Sequence, residues 1–128
     1  MKLRIKGNSM RLRVSRSELA RLLEGERVEE TIHFSAAPDS YLTYGLQSAA
    51  QPAAIRIQWE PRNVTVLLSD ERLRFWGRDA EVGIYESLDL GPSGSLEVII
   101  EKDFACLDRS DEENNDTFAN PSTEAVCR

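Results

Sequence analysis

The chain has 128 residues, of which 41% are hydrophobic and 30% are charged, and its net charge is −6. A chain of this length and composition can bury a core of its own, so it needs neither a disulfide framework nor a structural metal to fold. The first fourteen residues are too basic for a signal-peptide apolar region, and no apolar run is long enough to span a membrane. The sequence therefore predicts a cytoplasmic protein of bacterial type with no membrane partner.

The charges are unevenly distributed along the chain. Residues 1–27 contain eight Lys or Arg and three Asp or Glu, whereas residues 97–128 contain three and nine. Such an asymmetry indicates either a basic binding surface or an internal match between the two ends.

The first stretch alternates apolar and basic residues around a turn. Lys2–Lys6 and Ser9–Val14 flank Gly7-Asn8, a pair that tolerates the positive φ of a tight turn. The pattern predicts a β-hairpin with one apolar face and one basic face. The basic residues of this face, with a sixth nearby on the following helix, are called the hairpin cations: Lys2, Arg4, Lys6, Arg11, Arg13 and Arg16.

A helix and two strands follow the hairpin. Ser15 and Glu18 form a capping box, in which each side chain accepts from the other residue's backbone N–H. Gly25 is placed to end the helix in a left-handed conformation. Alternating residues then predict a strand over 28–34, a turn at Pro38 and a returning strand over 42–46.

The second half of the chain has the same order of elements. Strands over 54–59 and 64–68 are joined by a turn at Pro61, and Ser69 begins a second helix that ends at Gly77. Strands over 82–90 and 96–100 are joined by a turn at Pro92.

A shift of 54 positions superimposes Met10–Leu46 on Val64–Ile100 without a gap. The two helix caps, the two turn prolines and the inward helix positions coincide, although Ile84 falls opposite Glu30. We therefore predict an internal repeat. The expected fold is α+β, in which duplicated strand-strand-helix-strand-strand halves form a pseudo-twofold antiparallel barrel or wrapped sheet with two short helices.

This fold predicts a single domain over residues 1–121, with half one at 1–47, half two at 53–102 and an acidic C-terminal segment at 103–121. Residues 122–128 are expected to form a flexible tail. The alternation predicts a core formed by the following residues: Ile5, Leu12, Leu19, Leu22, Phe34, Ile57, Val66, Leu73, Trp76, Val98 and Ile100.

The sequence also resembles two protein families. The strand, cap, helix, strand, strand unit resembles the AbrB-like swapped-hairpin barrel, which implies interlocked halves. Members of that family usually carry a proline just before the helix, where this chain has Ser15 and Ser69, so the DNA binding of the family is not carried over.

The second resemblance spans the chain as far as Pro121. The start Lys2–Ser9, the segment Glu101–Leu107 and the closing Asn120-Pro121 are similar to a family of small uncharacterised bacterial proteins. This likeness implies a single bacterial domain and no particular chemistry.

Few residues offer catalytic chemistry. His33 is the only histidine, and it is expected on an outward strand face without a partner base. Asp103, Cys106 and Asp108 are the candidate metal ligands, although a soft thiolate and hard carboxylates favour different ions. The alternative is that Cys106 continues the strand alternation as a small buried residue. No catalytic residue and no cofactor are implied.

The sequence thus favours a non-enzymatic interaction module that binds an unknown macromolecule or its own copy. One alternative is nucleic-acid binding by the hairpin cations, against which the overall acidity counts. The other is a metal-dependent enzyme that uses the Asp103–Asp108 segment.

The acidic segment itself carries aromatic residues that a purely solvating tail does not need. We predict that it folds back across the molecule, that Phe118 anchors it in an apolar groove, and that its carboxylates meet Arg11, Arg13 and Arg16.

Overall fold

The computed structural model describes residues 1–78, 80–105 and 115–119. Within these residues the chain forms eight strands and two α-helices. In chain order they are β1 (Lys2–Lys6), β2 (Ser9–Val14), α1 (Arg16–Leu23), β3 (Val28–His33), β4 (Tyr41–Ala49), β5 (Ile55–Glu60), β6 (Asn63–Ser69), α2 (Asp70–Trp76), β7 (Gly83–Asp89) and β8 (Ser95–Lys102), with a 3-10 turn at Gly91–Ser93 between the last two strands.

The strands form two four-stranded sheets. The first sheet has the order β1-β2-β8-β7 and the second has the order β3-β4-β6-β5. Each sheet therefore takes one hairpin from the first half of the chain and one from the second. Within each hairpin the strands are antiparallel, but the two central pairs, β2 with β8 and β4 with β6, are parallel.

The expectation of a wholly antiparallel barrel is therefore wrong. Tight turns dictate antiparallel pairing only within a hairpin, and they do not dictate how hairpins from distant parts of the chain lie side by side. The described residues form two separate sheets rather than a closed barrel, and β1, β7, β3 and β5 are the edge strands.

The core lies between the inner faces of the sheets and the two helices. Its buried side chains include Leu19 and Leu22 from α1 and Leu73 and Trp76 from α2. The indole N–H of Trp76 donates to the Val82 carbonyl oxygen at 3.1 Å, so its one polar atom is satisfied inside the core. Most of the predicted core is confirmed, and Ile57 is partly buried against it.

The prediction that Ile5 and Phe34 belong to the core is wrong. Ile5 and Phe34 are each 65% exposed, and Trp59, two residues after Ile57 on the same strand, is 71% exposed. Ile5 pairs with Met10 beside one hairpin turn, and Trp59 pairs with Val64 beside another. By strand alternation Ile5 shares a face with Leu3 and Trp59 shares a face with Ile57, but both lie beside hairpin turns and outside the core cluster. Alternation predicts which face of a strand is apolar, but it does not predict which positions along that face are buried.

The helix ends follow the predicted signals. Ser15 caps α1 with the complete capping box, and Ser69 caps α2 by accepting from the backbone N–H of Arg72. Gly25 has a φ of 87°, the left-handed conformation that ends α1. Pro38 and Pro92 both lie in connections between paired strands, as predicted.

Candidate functional site

The hairpin cations lie where the sequence predicted, but most of those on the sheet are paired. The Lys2 ammonium lies 2.8 Å from Asp103, and Arg11 and Arg13 lie 3.1 Å and 4.0 Å from the same oxygen of Glu101. The cause is the parallel pairing of β2 with β8, which places Arg13 directly opposite Glu101. Among the described residues, the basic charges of the hairpin are thus matched in part by Glu101 of β8 and by Asp103 just after it.

Three hairpin cations have no ion pair among the described residues. Arg4 and Lys6 line a small recess of about 190 Å³ on the outer face of the first sheet. Arg16 lies at the start of α1 and is not among the residues that line this recess. The six residues therefore do not form one continuous basic face.

Tyr85 completes the charged network on this sheet. Its hydroxyl donates to Glu101 at 3.2 Å. Partial burial and the nearby Glu101 carboxylate raise the pKa of Tyr85, so its hydroxyl stays protonated at neutral pH. Glu101 therefore serves as the common partner of two arginines and a tyrosine.

The candidate metal ligands are only partly described. Asp103 is buried and paired with Lys2, while Cys106 and Asp108 lie outside the described residues. No group of three or more His, Cys, Asp or Glu side chains suited to a metal occurs among the residues that the structure describes. The imidazole of His33 lies 5.9 Å from the ring of Tyr41 on the exposed end of β3.

The described part of the acidic segment, residues 115–119, crosses the start of α1. Phe118 packs against the core, with its ring 6.2 Å from Phe104 and 5.4 Å from the Lys102 ammonium. Backbone hydrogen bonds join Phe118 to Asp103 and Ala105 at 2.9 Å and 2.7 Å. Phe118 therefore attaches residues 115–119 to the core, as the sequence predicted for this side chain.

Asp116 meets the start of α1 mainly through hydrogen bonds from backbone N–H groups and the Ser17 hydroxyl, with the charge of Arg16 nearby. Its carbonyl accepts from the N–H of Arg16 at 2.9 Å, and its carboxylate accepts from the N–H of Ser17 at 3.0 Å and from the Ser17 hydroxyl. These bonds, the Ser17 hydroxyl first, hold the pKa of Asp116 below its ordinary value. Arg11 and Arg13 pair with Glu101 rather than with Asp116, and the acidic residues 108 and 111–113 of the predicted meeting lie outside the described residues.

A second polar cluster lies on the outer face of the second sheet. The Arg27 guanidinium donates to Thr65 at 2.8 Å and to Gln47 and Asn63 at 3.1 Å each. It lies against Gly45, where an added Cβ would come within 2.3 Å of it. These contacts fix the arginine to the sheet, so it serves the structure rather than a ligand.

The exposed face of α2 differs from both of these clusters. We call it the α2 face and define it by Arg72, Arg74, Phe75 and Arg78. The guanidinium carbons of Arg72 and Arg78 lie 6.0 Å and 5.2 Å from the centroid of the Phe75 ring. Stacking of this kind orients a guanidinium while leaving its N–H edge available.

The α2 face borders a cavity of about 440 Å³. Its walls also contain Pro52, Ala54, Ser69 and Glu71. Among the described residues, no carboxylate lies within ion-pair distance of any of the three arginines. The cavity therefore combines three available positive charges with one glutamate and an apolar wall.

The sequence reasoning missed this face, although a signal was present. Leu73 and Trp76 were correctly placed inward, which leaves positions 72, 74, 75 and 78 outward by the period of the helix. An arginine near a helix C-terminus also complements the helix dipole, so its presence alone does not mark a site. The distinguishing feature is the ring between the arginines, which only the packing reveals.

Comparison with known proteins places the chain in a family without an assigned activity. No curated protein and no solved structure matches it. No helix in the described ranges is long and apolar enough to cross a membrane. A family model matches residues 1–122, and the chain belongs to that family, the family of unknown function DUF7009.

Proposed function

We propose that this protein is a non-enzymatic binding module that holds an anionic partner on the α2 face. One observation carries the proposal: two arginines stack on the exposed Phe75 ring, with no carboxylate of the described residues in ion-pair range. Arginines held by an aromatic ring lose little further freedom when they bind, so an anion meets an oriented site.

The equivalent face of α1 supports a specialised use of α2. Under the shift of 54 positions, the inward residues agree in character, since Leu19 corresponds to Leu73 and Leu22 to Trp76. The outward residues differ in charge and size. Where α2 carries Arg72, Arg74, Phe75 and Arg78, α1 carries Glu18, Ala20, Arg21 and Glu24.

The hairpin alternative receives less support. Lys2, Arg11 and Arg13 are each paired with a carboxylate, so nucleic-acid binding there would have to compete with existing ion pairs. We therefore assign the binding function to α2 rather than to the hairpin cations.

Retention on an immobilised sulfated polyanion at low salt tests the proposal. The variant R72Q/R74Q/R78Q should elute at much lower salt than the wild type, because three phosphate-like contacts are lost together. The variant R4Q/K6Q is the matched control and should elute with the wild type. Loss of retention in R4Q/K6Q with full retention in the α2 variant would place binding on the hairpin instead.

We further propose that the architecture arose as an internal repeat, with halves at 1–47 and 53–102. The pairing registers support it. Met10 lies opposite Val98 in the first sheet, and Val64 lies opposite Tyr44 in the second, which is the same pair after a shift of 54 positions.

A different shift applies to the strand directly after each helix, β3 and β7. Val28 pairs with Leu46, and Ile84 pairs with Ile100, so Val28 corresponds to Ile84 at a shift of 56 positions. Both residues are buried, which removes the misfit of Ile84 with Glu30 that an ungapped alignment produces. Two extra residues after α2 account for this shift, and the connection between β7 and β8, which is two residues shorter than that between β3 and β4, restores the shift of 54. We also propose that the chain forms a single domain over residues 1–121, that it is of bacterial origin and that it is cytoplasmic.

A further inference from the structure

We infer that the ligand of the α2 face is a small phosphorylated molecule that carries at least two negative charges and an apolar or planar body. This inference rests on the proposed function and specifies its ligand. It draws on the charge of the cavity, its size and the composition of its wall.

The charge of the cavity fits phosphate better than a single carboxylate. Three arginines and one glutamate contribute to its lining. A phosphate monoester carries about −1.5 to −2 charges at pH 7 and three acceptor oxygens. Guanidinium forks bind such oxygens in pairs, and the stacked positions of Arg72 and Arg78 on one ring let a single ligand reach both.

The size of the cavity leaves room for more than an inorganic ion. A volume of about 440 Å³ lies within the range of small-molecule sites, roughly 300–1,000 Å³. Pro52, Ala54 and the Phe75 ring supply apolar surface beside the arginines. A phosphate group would therefore sit at the guanidinium groups while an attached organic body contacts this wall.

The charge of the whole protein favours a small ligand over a nucleic-acid strand. A net charge of −6 weakens the binding of a long polyanion, whose charges extend beyond the cavity, so such a polymer should be retained only at low salt. A ligand confined to the cavity experiences mainly the local positive field. The three arginines are thus suited to one compact polyanionic group.

Calorimetric titration of the full chain with ADP and with inorganic pyrophosphate tests the inference. Both should bind, ADP more tightly because its nucleoside contacts the apolar wall. The variant R72Q/R78Q should bind each about tenfold or more weakly. The matched control is R56Q, which removes an exposed arginine on β5 outside the cavity and should leave the affinity unchanged.

A second variant and three further probes decide between explanations. F75L keeps an apolar side chain but removes the stacking ring, so it should weaken pyrophosphate as well as ADP. Adenosine or succinate binding as tightly as ADP would overturn the requirement for phosphate. A single-stranded 20-nucleotide DNA that binds R56Q but not R72Q/R78Q, with no binding of ADP or pyrophosphate, would overturn the small ligand while supporting an anion-binding α2 face. Absence of binding by every anion would overturn both proposals.

Discussion

The two helices share a buried face and differ in everything around it. At the start of α1, the four N–H groups of residues 15–18 all have acceptors, supplied by the capping box and by Asp116. At the start of α2, Ser69 caps one N–H group, and the described residues provide no crossing segment like 115–119. One helix is covered by its own chain, whereas the other presents arginines and an aromatic ring.

This difference shows that the density of charge in a sequence does not measure the charge available for binding. The hairpin has the densest run of basic residues, yet Glu101 of β8 and Asp103 just after it supply carboxylates to three of them. The three arginines of α2 are fewer, and none has such a carboxylate among the described residues. Availability depends on what the fold places opposite each charge.

The largest expected effect tests whether the helices are equivalent in the core. Leu19→Ala and Leu73→Ala should each lower the free energy of unfolding by about 2–5 kcal/mol, because both side chains are almost fully buried. Urea denaturation of each variant measures the effect. A large loss of stability in one variant and none in the other would show that the two helices do not contribute equivalently to the core.

A smaller effect tests the cover on α1. Phe118→Ala should cost about 1–2 kcal/mol, less than full burial of a phenylalanine provides, because Phe118 is only partly buried. The same denaturation experiment applies, and hydrogen exchange at Arg16 and Ser17 should become faster as Asp116 loses its anchor. Unchanged stability and exchange would show that residues 115–119 do not hold the helix start.

The charge of Asp116 should matter only above its depressed pKa. Asp116→Asn keeps an acceptor for the Ser17 N–H but removes the negative charge at the helix start, worth about 0.3–1 kcal/mol. Because the folded pKa lies below that of the unfolded chain, near 3.9, the stabilisation is complete well above pH 4 and is lost as pH falls through the folded value. Urea curves at pH 7 and at about pH 2 should therefore differ between wild type and variant only at pH 7. An equal deficit at both values would assign the effect to lost hydrogen-bond geometry.

The smallest effect sharpens the contrast with α2. R72Q/R74Q/R78Q should change stability by less than about 0.5 kcal/mol, since exposed arginines without carboxylate partners contribute little to folding. Arg11→Gln should cost more, because it leaves Glu101, whose Oε1 atom is buried, with one partner fewer. If the α2 variant were the less stable of the two, its arginines would serve the fold rather than a ligand.

Sequence reasoning succeeded where local physics decides the outcome. The caps at Ser15 and Ser69 depend on a few neighbouring residues, and the inward positions of Leu19 and Leu73 depend only on the period of a helix. The number and order of the strands follow from turns and alternation in the same way.

The remaining features depend on contacts between distant parts of the chain. The parallel pairing of β2 with β8 brings Glu101 to Arg11 and Arg13, and no local signal encodes that meeting. Ile5 is exposed because it lies beside a hairpin turn and outside the core cluster, which alternation does not predict. The α2 face required both its outward spacing, which the sequence contains, and the stacking on Phe75, which it does not.

The contact between Arg27 and Gly45 makes the effect of a substitution at position 45 depend on the residue at position 27. Any side chain at position 45 collides with the guanidinium while the arginine is present, so G45A should destabilise the wild-type chain. In an R27A background the three atoms nearest to the added Cβ are absent, so the same substitution should cost less than in the wild type. Losing Arg27 also removes its hydrogen bonds to Thr65, Gln47 and Asn63, so each single substitution has a cost, and the double-mutant cycle measures how far the cost of G45A falls once position 27 has changed.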